Sequence, residues 1–276
     1  MPANLHHQPR VRDRWSYLYA EHCRVEQDER AIALHDDDGV RPVPCASLLL
    51  LMLGPGTTVT HAAMRAIADN GCLVAWTGEE GVRYYAEGMG VTRSSTNLQR
   101  QARLASSERA RERIAAVMYR MRFAETPDPA LTLRQLRGME GVRVREAYAR
   151  ASRETGVPWS GRSWEGEGGP DPTNRALSWA NACLYGVCHA AIAAAGYSPG
   201  LGFIHTGHMR SFVFDVADLY KAEVSIPVAF QIVRAGTNDL EGRTRRACRD
   251  VIKKERLLDR ILPDIERALA AGEEDG

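Results

Sequence analysis

The spacing of apolar and polar positions changes once along the chain. From Val11 to about Ala86 it is strand-like. Val11, Asp13, Trp15, Tyr17 and Tyr19 occupy alternate positions, as in a half-buried strand. Ala31 to His35 forms an apolar run that leads into Asp36-Asp-Asp-Gly39, a turn cluster ending on glycine. Val40-Arg-Pro-Val-Pro44 is extended, because each proline biases its predecessor away from helix. Ser47 to Leu53 is short, apolar and followed by Gly-Pro-Gly, which suits a core strand. Thr60 opens a short helix to Asn70, stopped by Gly71. Cys72 to Trp76 and Val82 to Ala86 are two further strands.

After Gly88-Met-Gly90 the period becomes helical. Leu98 to Arg122 carries Ile114, Val117, Met118 and Met121 at helical spacing. Pro127 and Pro129 interrupt it. Leu136 to Thr155 resumes the helix, with breaks expected at Gly138 and Gly141. Residues 156–173 are rich in glycine and proline and predict a mobile loop. Asn174 to Ala195 reads as a central helix, apolar on most sides and ended by Gly196. The remaining helices are expected over Ser211 to Lys221, Pro227 to Arg234, Thr244 to Asp259 and Pro263 to Ala271. The predicted class is α+β: an N-terminal β-sandwich-like domain with one short helix over residues 1–88, then a larger all-α domain over 89–276 that carries the chemistry.

Charge adds one feature. The net charge of the 276-residue chain is only +1, but its distribution is uneven. Residues 1–88 carry 8 Arg against 12 acids, residues 89–164 carry 15 Arg against 7, and residues 165–276 carry 13 Arg and Lys against 16. The basic middle block suits phosphate. Its use of Arg reflects a chain-wide bias, since the whole protein has three Lys. No apolar run approaches the ~20 residues of a membrane span, and the N-terminus has no signal-peptide core. A cytoplasmic protein without membrane contact is expected. The six cysteines form no C-x-x-C pair and are expected to be buried free thiols.

The densest chemistry lies between His205 and Asp218, where two histidines (His205, His208) and two carboxylates (Asp215, Asp218) fall within fourteen residues. With Ser211 as a helix cap, both acids share one face about a turn apart. Two carboxylates that close repel, and a divalent cation relieves the repulsion. The competing reading is a set of exposed polar residues at a helix start. Glu140, in Leu136-Arg-Gly-Met-Glu-Gly-Val-Arg143, adds a third oxygen donor from another helix, or else sits as an acid at a helix N-terminus. A Glu/His/Asp set favours Mg²⁺ or Mn²⁺ over a closed zinc site. Such an ion in a basic setting suits phosphodiester chemistry. Tyr185, on the central helix, needs a partner for its hydroxyl and could face the ion. The sequence has no P-loop, dinucleotide fingerprint, zincin motif or serine-hydrolase elbow. Arg143 and Arg145 head the candidate phosphate contacts, with Arg65 and Arg83 as weaker ones from the β domain.

Together these segments resemble the CRISPR-associated adaptation integrase and endonuclease family, in its type I-E branch. The resemblance rests on Leu136 to Arg143, Cys183-Leu-Tyr-Gly-Val187, Ala193 to Gly207, Ser211 to Asp218 and Ala247-Cys-Arg-Asp250. It extends to Arg12-Asp-Arg14, Leu53 to Thr57, His61-Ala-Ala63 and Gly81-Val-Arg83, and so spans nearly the whole chain in order. It implies a metal site of Glu140, His205 and Asp218, with Asp215 as a neighbouring acid and Tyr185 nearby. It implies a homodimer formed through the β domains. Two such dimers would flank a small second adaptation subunit in a hetero-hexamer that captures double-stranded DNA. Each 3′-hydroxyl of that protospacer would then attack a phosphodiester of the CRISPR repeat. His22 stands where close relatives carry a tyrosine that wedges the duplex end. His208 stands where some carry a lysine near the protospacer motif. Two other readings are a stand-alone metal-dependent nuclease in DNA repair and a non-catalytic DNA-binding scaffold.

Overall fold

The computed structural model of the chain describes residues 18–29, 31–48, 50–78, 84–88, 94–162 and 171–273. The strand expected over Val11 to Tyr17, Arg83, and residues 163–170 of the predicted loop lie outside the described residues. The rest resolves into two compact units. The first comprises the described residues up to Leu98 together with Ala190–Tyr197, and the second the described residues of Gln99–His189 and those from Ser198 onward.

Among the described residues, the first unit holds two four-stranded sheets, one complete α-helix and the end of a longer one. In one sheet β1 (Leu18–Ala20), β5 (Leu50–Leu53) and β7 (Leu73–Thr77) run parallel, and β8 (Tyr84–Gly88) is antiparallel to β7. In the other, β4 (Gly39–Val43), β3 (Ala31–Asp36) and β2 (Arg24–Asp28) are antiparallel, and β6 (Thr58–Val59) runs parallel to β2. The acidic cluster makes the β3–β4 turn as expected: Asp38 N–H donates to Asp36 Oδ1 at 3.0 Å, and Gly39 adopts φ 124°. Helix α1 (His61–Asp69) starts where Thr60 Oγ1 accepts the Ala63 N–H at 3.2 Å and stops before Gly71, at φ 64°.

Strand β5 shows why its sequence is apolar throughout. Leu51 and Leu53 point into a core shared with Val25, Ile32, Leu34, Val74 and Ile67 of α1. Leu50 and Met52 point the other way, onto Leu73, Ala75 and the alanines Ala190, Ala193 and Ala194. A strand covered on both faces has no polar side to alternate with.

The second unit is helical. It holds α3 (Glu108–Arg120), α4 (Leu133–Thr155), α6 (Ser211–Ala217), α7 (Ser225–Arg234), α8 (Leu240–Lys254) and α9 (Leu257–Ala270). It also takes most of α2 (Thr96–Ser106) and α5 (Pro172–Ala194). Helix α5 is long and apolar enough to cross a bilayer, but 67% of its most apolar stretch is buried in the protein. All six cysteines are buried and free.

Several helix limits differ from the expected ones. Ser107 splits the predicted Leu98–Arg122 helix, because its Oγ caps α3 by accepting the Ala110 N–H at 3.3 Å. Helix α4 runs unbroken through Gly138 and Gly141. Its start is fixed by a reciprocal capping box between Thr132 and Gln135, and its end by Gly156 at φ 70°. Each internal glycine costs about 1 kcal/mol against alanine, too little to break a 23-residue helix. Helix α8 stops at Lys254, and Pro263 lies inside α9 rather than at a helix start. The buried stripe Leu257, Ile261, Ile265 and Leu269 carries α9 across the proline. Tyr148, Trp159 and Phe230 seal the packing of α4 against α7, with Tyr148 stacked on Trp159 at 4.5 Å.

Two-sided burial of β5 has a measurable consequence. Leu51→Ala and Met52→Ala, on opposite faces, should each cost about 2–5 kcal/mol in denaturant unfolding. A loss under about 0.5 kcal/mol for either one, the range of ordinary surface substitutions, would show that face to be open.

Candidate functional site

The site is assembled around a buried carboxylate that does not itself face the open side. Asp215, on α6, is fully buried. Its Oδ2 accepts the N–H groups of Phe203 (2.6 Å) and Ile204 (3.0 Å), and its Oδ1 accepts the N–H of His205 (2.9 Å). His205 Nδ1 also donates to Oδ1, at 2.7 Å. The acid therefore folds the 203–205 turn around itself and fixes the imidazole, leaving Nε2 as the nitrogen free to act outward. The hydrogen bond to Asp215 holds the His205 pKa above its ordinary value. Burial opposes this, while the charges of Asp215 and Asp218 add to it and that of Lys221 subtracts.

Two residues make this turn possible. At Gly202 a Cβ would lie 2.3 Å from His205 O and 2.9 Å from Asp215 Oδ2, so only glycine fits. Gln101, buried on α2, accepts the Ser198 N–H at 2.7 Å and donates to Ser198 O and Leu201 O at 3.0 and 2.8 Å. Ser211 is not the cap of α6. It is the first helical residue, and its hydroxyl bonds back to His208 O and N–H at 2.8 and 3.1 Å. His208 is folded into its own turn, where its Nδ1 accepts the Arg210 N–H at 3.0 Å.

Asp215 and Asp218, three apart on α6, consequently do different things: Asp215 is buried against the 203–205 turn, while Asp218 meets the neighbouring cations. Asp218 caps the C-terminal end of α6 and turns to Lys221, whose Nζ is 2.5 Å from Oδ1. Its Oδ2 lies 3.6 Å from Arg122 Nη1. That same nitrogen donates to Glu140 Oε1 at 3.2 Å. Glu140 lies in the second turn of α4, not at its N-terminus, and also takes Arg143 Nε on Oε2 (2.7 Å) and Nη2 on Oε1 (2.9 Å). One guanidinium nitrogen thus joins two carboxylates from different helices. The Arg122 side chain is 4% exposed, and its Cζ lies 4.8 Å from the centre of the Tyr119 ring. Its Nε and Nη2 are buried with no hydrogen-bond partner among the described residues.

Phe214 connects the two halves. Its ring lies 5.1 Å from Tyr185, 5.9 Å from His205 and 5.1 Å from His208, with Arg210 above it at 5.4 Å. Lys221 Nζ lies 5.1 Å from the Tyr185 ring. Burial lowers the Lys221 pKa, but Asp218 and Tyr185 outweigh it and leave the ammonium above its ordinary value. Two cavities flank the cluster. One, of about 440 Å³, is lined by Arg122, Arg143 and Arg150 together with Glu154, Glu223 and Ile226. The other, of about 230 Å³, is lined by Arg111 and Arg137 with Tyr119, Phe203, Ile204 and Thr206.

Of the residues expected from sequence, Glu140, Asp218, Tyr185, His205 and Asp215 thus form one network, and His208 borders it. Arg143 is engaged by Glu140 rather than standing free for phosphate, and Arg145 is exposed on the next stretch of α4. Arg65 is exposed on α1, in the first unit. His22 is in that unit too, exposed in a tight turn at φ 48°, with Gly56 against its ring. Sequence reasoning missed Arg122, Lys221, Gln101 and Gly202. Lys221 carried a signal in its i,i+3 spacing from Asp218; Arg122 carried none beyond membership of the basic block. Among the described residues no three His, Cys, Asp or Glu side chains stand close enough together to hold a metal ion. The carboxylate oxygens are taken instead by guanidinium and ammonium groups. The donor chemistry nevertheless fits a hard divalent cation: two carboxylates already sharing a positive group, and an imidazole oriented by a buried acid.

Comparison with known proteins places this network in a family. The model for "CRISPR associated protein Cas1" matches residues 105–249, a span that includes Glu140, Tyr185, His205 and Asp218. The CRISPR-associated endonuclease Cas1 2 of Thermus thermophilus is 51% identical over 264 residues, covering 95% of this chain and 81% of that protein. The CRISPR-associated endonuclease Cas1 of Geobacter sulfurreducens is 46% identical over 266 residues, covering 95% and 87%. A crystal structure of a TtCas1–DNA complex superposes with a TM-score of 0.84 at 50% identity, over 95% of this chain and 98% of that one. Agreement at this level in both sequence and fold, extending well beyond the network itself, means that the chain belongs to the Cas1 family of CRISPR-associated proteins.

Proposed function

We propose that the chain is a metal-dependent DNA endonuclease and integrase that inserts new spacers into a CRISPR array. The observation that carries this reading is the pairing of Glu140 and Asp218 through one buried guanidinium nitrogen, next to an imidazole whose Nε2 is left outward by Asp215. Its context supports it: relatives named as endonucleases, a related protein bound to DNA, and arginine-lined cavities on both sides of the cluster.

Glu140, His205 and Asp218 would hold Mg²⁺ or Mn²⁺. When bound, the ion would neutralise charge building at the attacked phosphorus and favour an ionised 3′-hydroxyl. The protein's own residues do the rest. Asp215 keeps His205 in the tautomer with Nδ1 protonated. Lys221 and Arg143 offer cations to the phosphate oxygens on either side of the scissile bond. Arg111, Arg137 and Arg150, in the flanking cavities, and the exposed Arg145 hold the backbone of the duplex, an attraction that weakens as salt rises. Joining is a transesterification: the 3′-oxygen of the incoming strand, having lost its proton, bonds to a repeat phosphorus. The bond from that phosphorus to the repeat strand's 3′-oxygen breaks, and this oxygen leaves with a proton as a free 3′-hydroxyl. We place the protein in the cytoplasm, as a homodimer that pairs with a second copy of itself across a small second adaptation subunit.

Substitution of the proposed ligands tests the reading. Glu140→Ala, His205→Ala and Asp218→Ala should each reduce joining of a 3′-hydroxyl duplex to a repeat-bearing plasmid by about 100-fold or more, with the second subunit present. Chelation with EDTA should do the same, and DNA binding should persist in all three variants. Cutting without joining in the unsubstituted protein would favour a stand-alone nuclease. Full activity in all three variants would leave only a binding scaffold.

A pH dependence follows from the raised His205 pKa. As pH falls through that value, Nε2 takes a proton and ceases to be a ligand, so metal binding is lost on the acid side. The stabilising His205–Asp215 ion pair has the opposite dependence, full at low pH and lost as pH rises through the same value. Asp215→Asn should therefore shift the acid limb of Mn²⁺ binding toward lower pH. It should also lower the melting temperature, since each buried N–H left unpaired costs about 1–3 kcal/mol. An unmoved acid limb would remove His205 from the set of ligands.

A further inference from the structure

The cations around the two acids are not equivalent. Arg122 is an inner clamp: 4% exposed, it holds Glu140 Oε1 and Asp218 Oδ2 from behind. Arg143 and Lys221 are less deeply placed, with side chains 20% and 29% exposed, and each holds only one of the two acids. Arg143 Nε covers Glu140 Oε2, and Lys221 Nζ covers Asp218 Oδ1. Those are the two carboxylate oxygens that Arg122 does not touch. Every oxygen that a divalent ion could take from these acids is thus capped by a side-chain cation, and the caps on Glu140 Oε2 and Asp218 Oδ1 are the less buried ones.

We propose that Arg143 and Lys221 are a charge gate, drawn off the acids by DNA phosphates, so that duplex DNA and the divalent ion bind cooperatively. The inference rests on the proposed metal site and adds its control. In the free protein an incoming ion has to displace two salt bridges, and the released cations gain no new partner. With a phosphodiester in place, each released cation pairs with a phosphate oxygen, and the acids become available at lower cost. Arg122 stays where it is, because its burial leaves it no other anion to pair with. It keeps the two acids facing each other while the outer cations exchange partners. Arg143 also lines the same cavity as Arg150, a second arginine within reach of a phosphate bound there.

Free Mn²⁺, read from its aquo-ion electron paramagnetic resonance signal, tests the gate in the full chain. Mn²⁺ is titrated at one fixed salt concentration, with and without a saturating duplex carrying 3′-dideoxy ends, and Mn²⁺ bound by DNA alone is subtracted. The expected result is at least about tenfold tighter Mn²⁺ binding with duplex present, within the usual range of site-to-site coupling. By linkage, Mn²⁺ should tighten duplex binding by the same factor, measured by fluorescence anisotropy on the unsubstituted protein. Lys221→Met, alone and combined with Arg143→Met, should bind Mn²⁺ tightly without DNA and lose most of the coupling. Equal Mn²⁺ affinity with and without duplex, in a protein whose Mn²⁺ binding is abolished by Asp218→Asn, would overturn the gate and leave the metal site standing. Mn²⁺ binding that Asp218→Asn does not affect would overturn the metal site and the gate together.

Discussion

Two carboxylates brought together at the end of one helix and the middle of another repel unless positive charge lies between them. In this protein the charge is Arg122, whose Nη1 lies 3.2 Å from Glu140 and 3.6 Å from Asp218. At such separations a pair of opposite charges gains about 4 kcal/mol at an effective dielectric of 20, against about 1 kcal/mol in water. Burial makes the same contact costly to break: removing one member of a buried pair typically costs about 3–5 kcal/mol. The end of α3, the second turn of α4 and the end of α6 are therefore held together at one point. The outer cations, Arg143 and Lys221, each hold only one of the two acids. The cluster combines a buried interior with a more exposed exterior, the arrangement that the proposed exchange of cations requires.

A third carboxylate works in the opposite sense. Asp215 gathers three backbone N–H groups and one imidazole, and no arginine or lysine pairs with it among the described residues. Its contribution is geometric: it shapes the turn that Gly202 permits and Gln101 braces, and so fixes where His205 points. Phe214, one residue before it, packs between Tyr185 and the two histidines. Adjacent positions on a helix of seven residues thus orient the imidazole from two sides.

Much of this was legible from residue order, for identifiable reasons. The change from strand to helical spacing near residue 90 marks two kinds of core. The unbroken apolar run of β5 announced a strand buried on both faces. Asp36 to Gly39 and the Thr60–Gly71 frame named their turn and helix ends through local chemistry alone. Helix limits governed by packing were less visible. Gly138 and Gly141 read as breaks, yet α4 is pinned at both ends and passes through them. Pro263 read as a start, yet the buried stripe of α9 crosses it. In the site, Glu140, His205 and Asp218 could be chosen by type and by resemblance. The difference between Asp215 and Asp218 could not, because a spacing of three gives a shared side of the helix and says nothing of depth: Asp215 is fully buried against the 203–205 turn, which only the folded chain brings there. Arg122 was hidden for a simpler reason: one arginine among fifteen in a basic block carries no mark of being the buried one.

The central claim is that Glu140, His205 and Asp218 close on a single divalent ion around the Arg122 clamp. Anomalous diffraction at the manganese edge, from crystals of the protein with Mn²⁺ and duplex DNA, tests it most directly. The account predicts one strong anomalous peak coordinated by Glu140, His205 Nε2 and Asp218, with Arg122 still bridging the two acids and Arg143 and Lys221 turned to phosphate. A peak bound elsewhere, or one that leaves His205 or either acid uncoordinated, would contradict it.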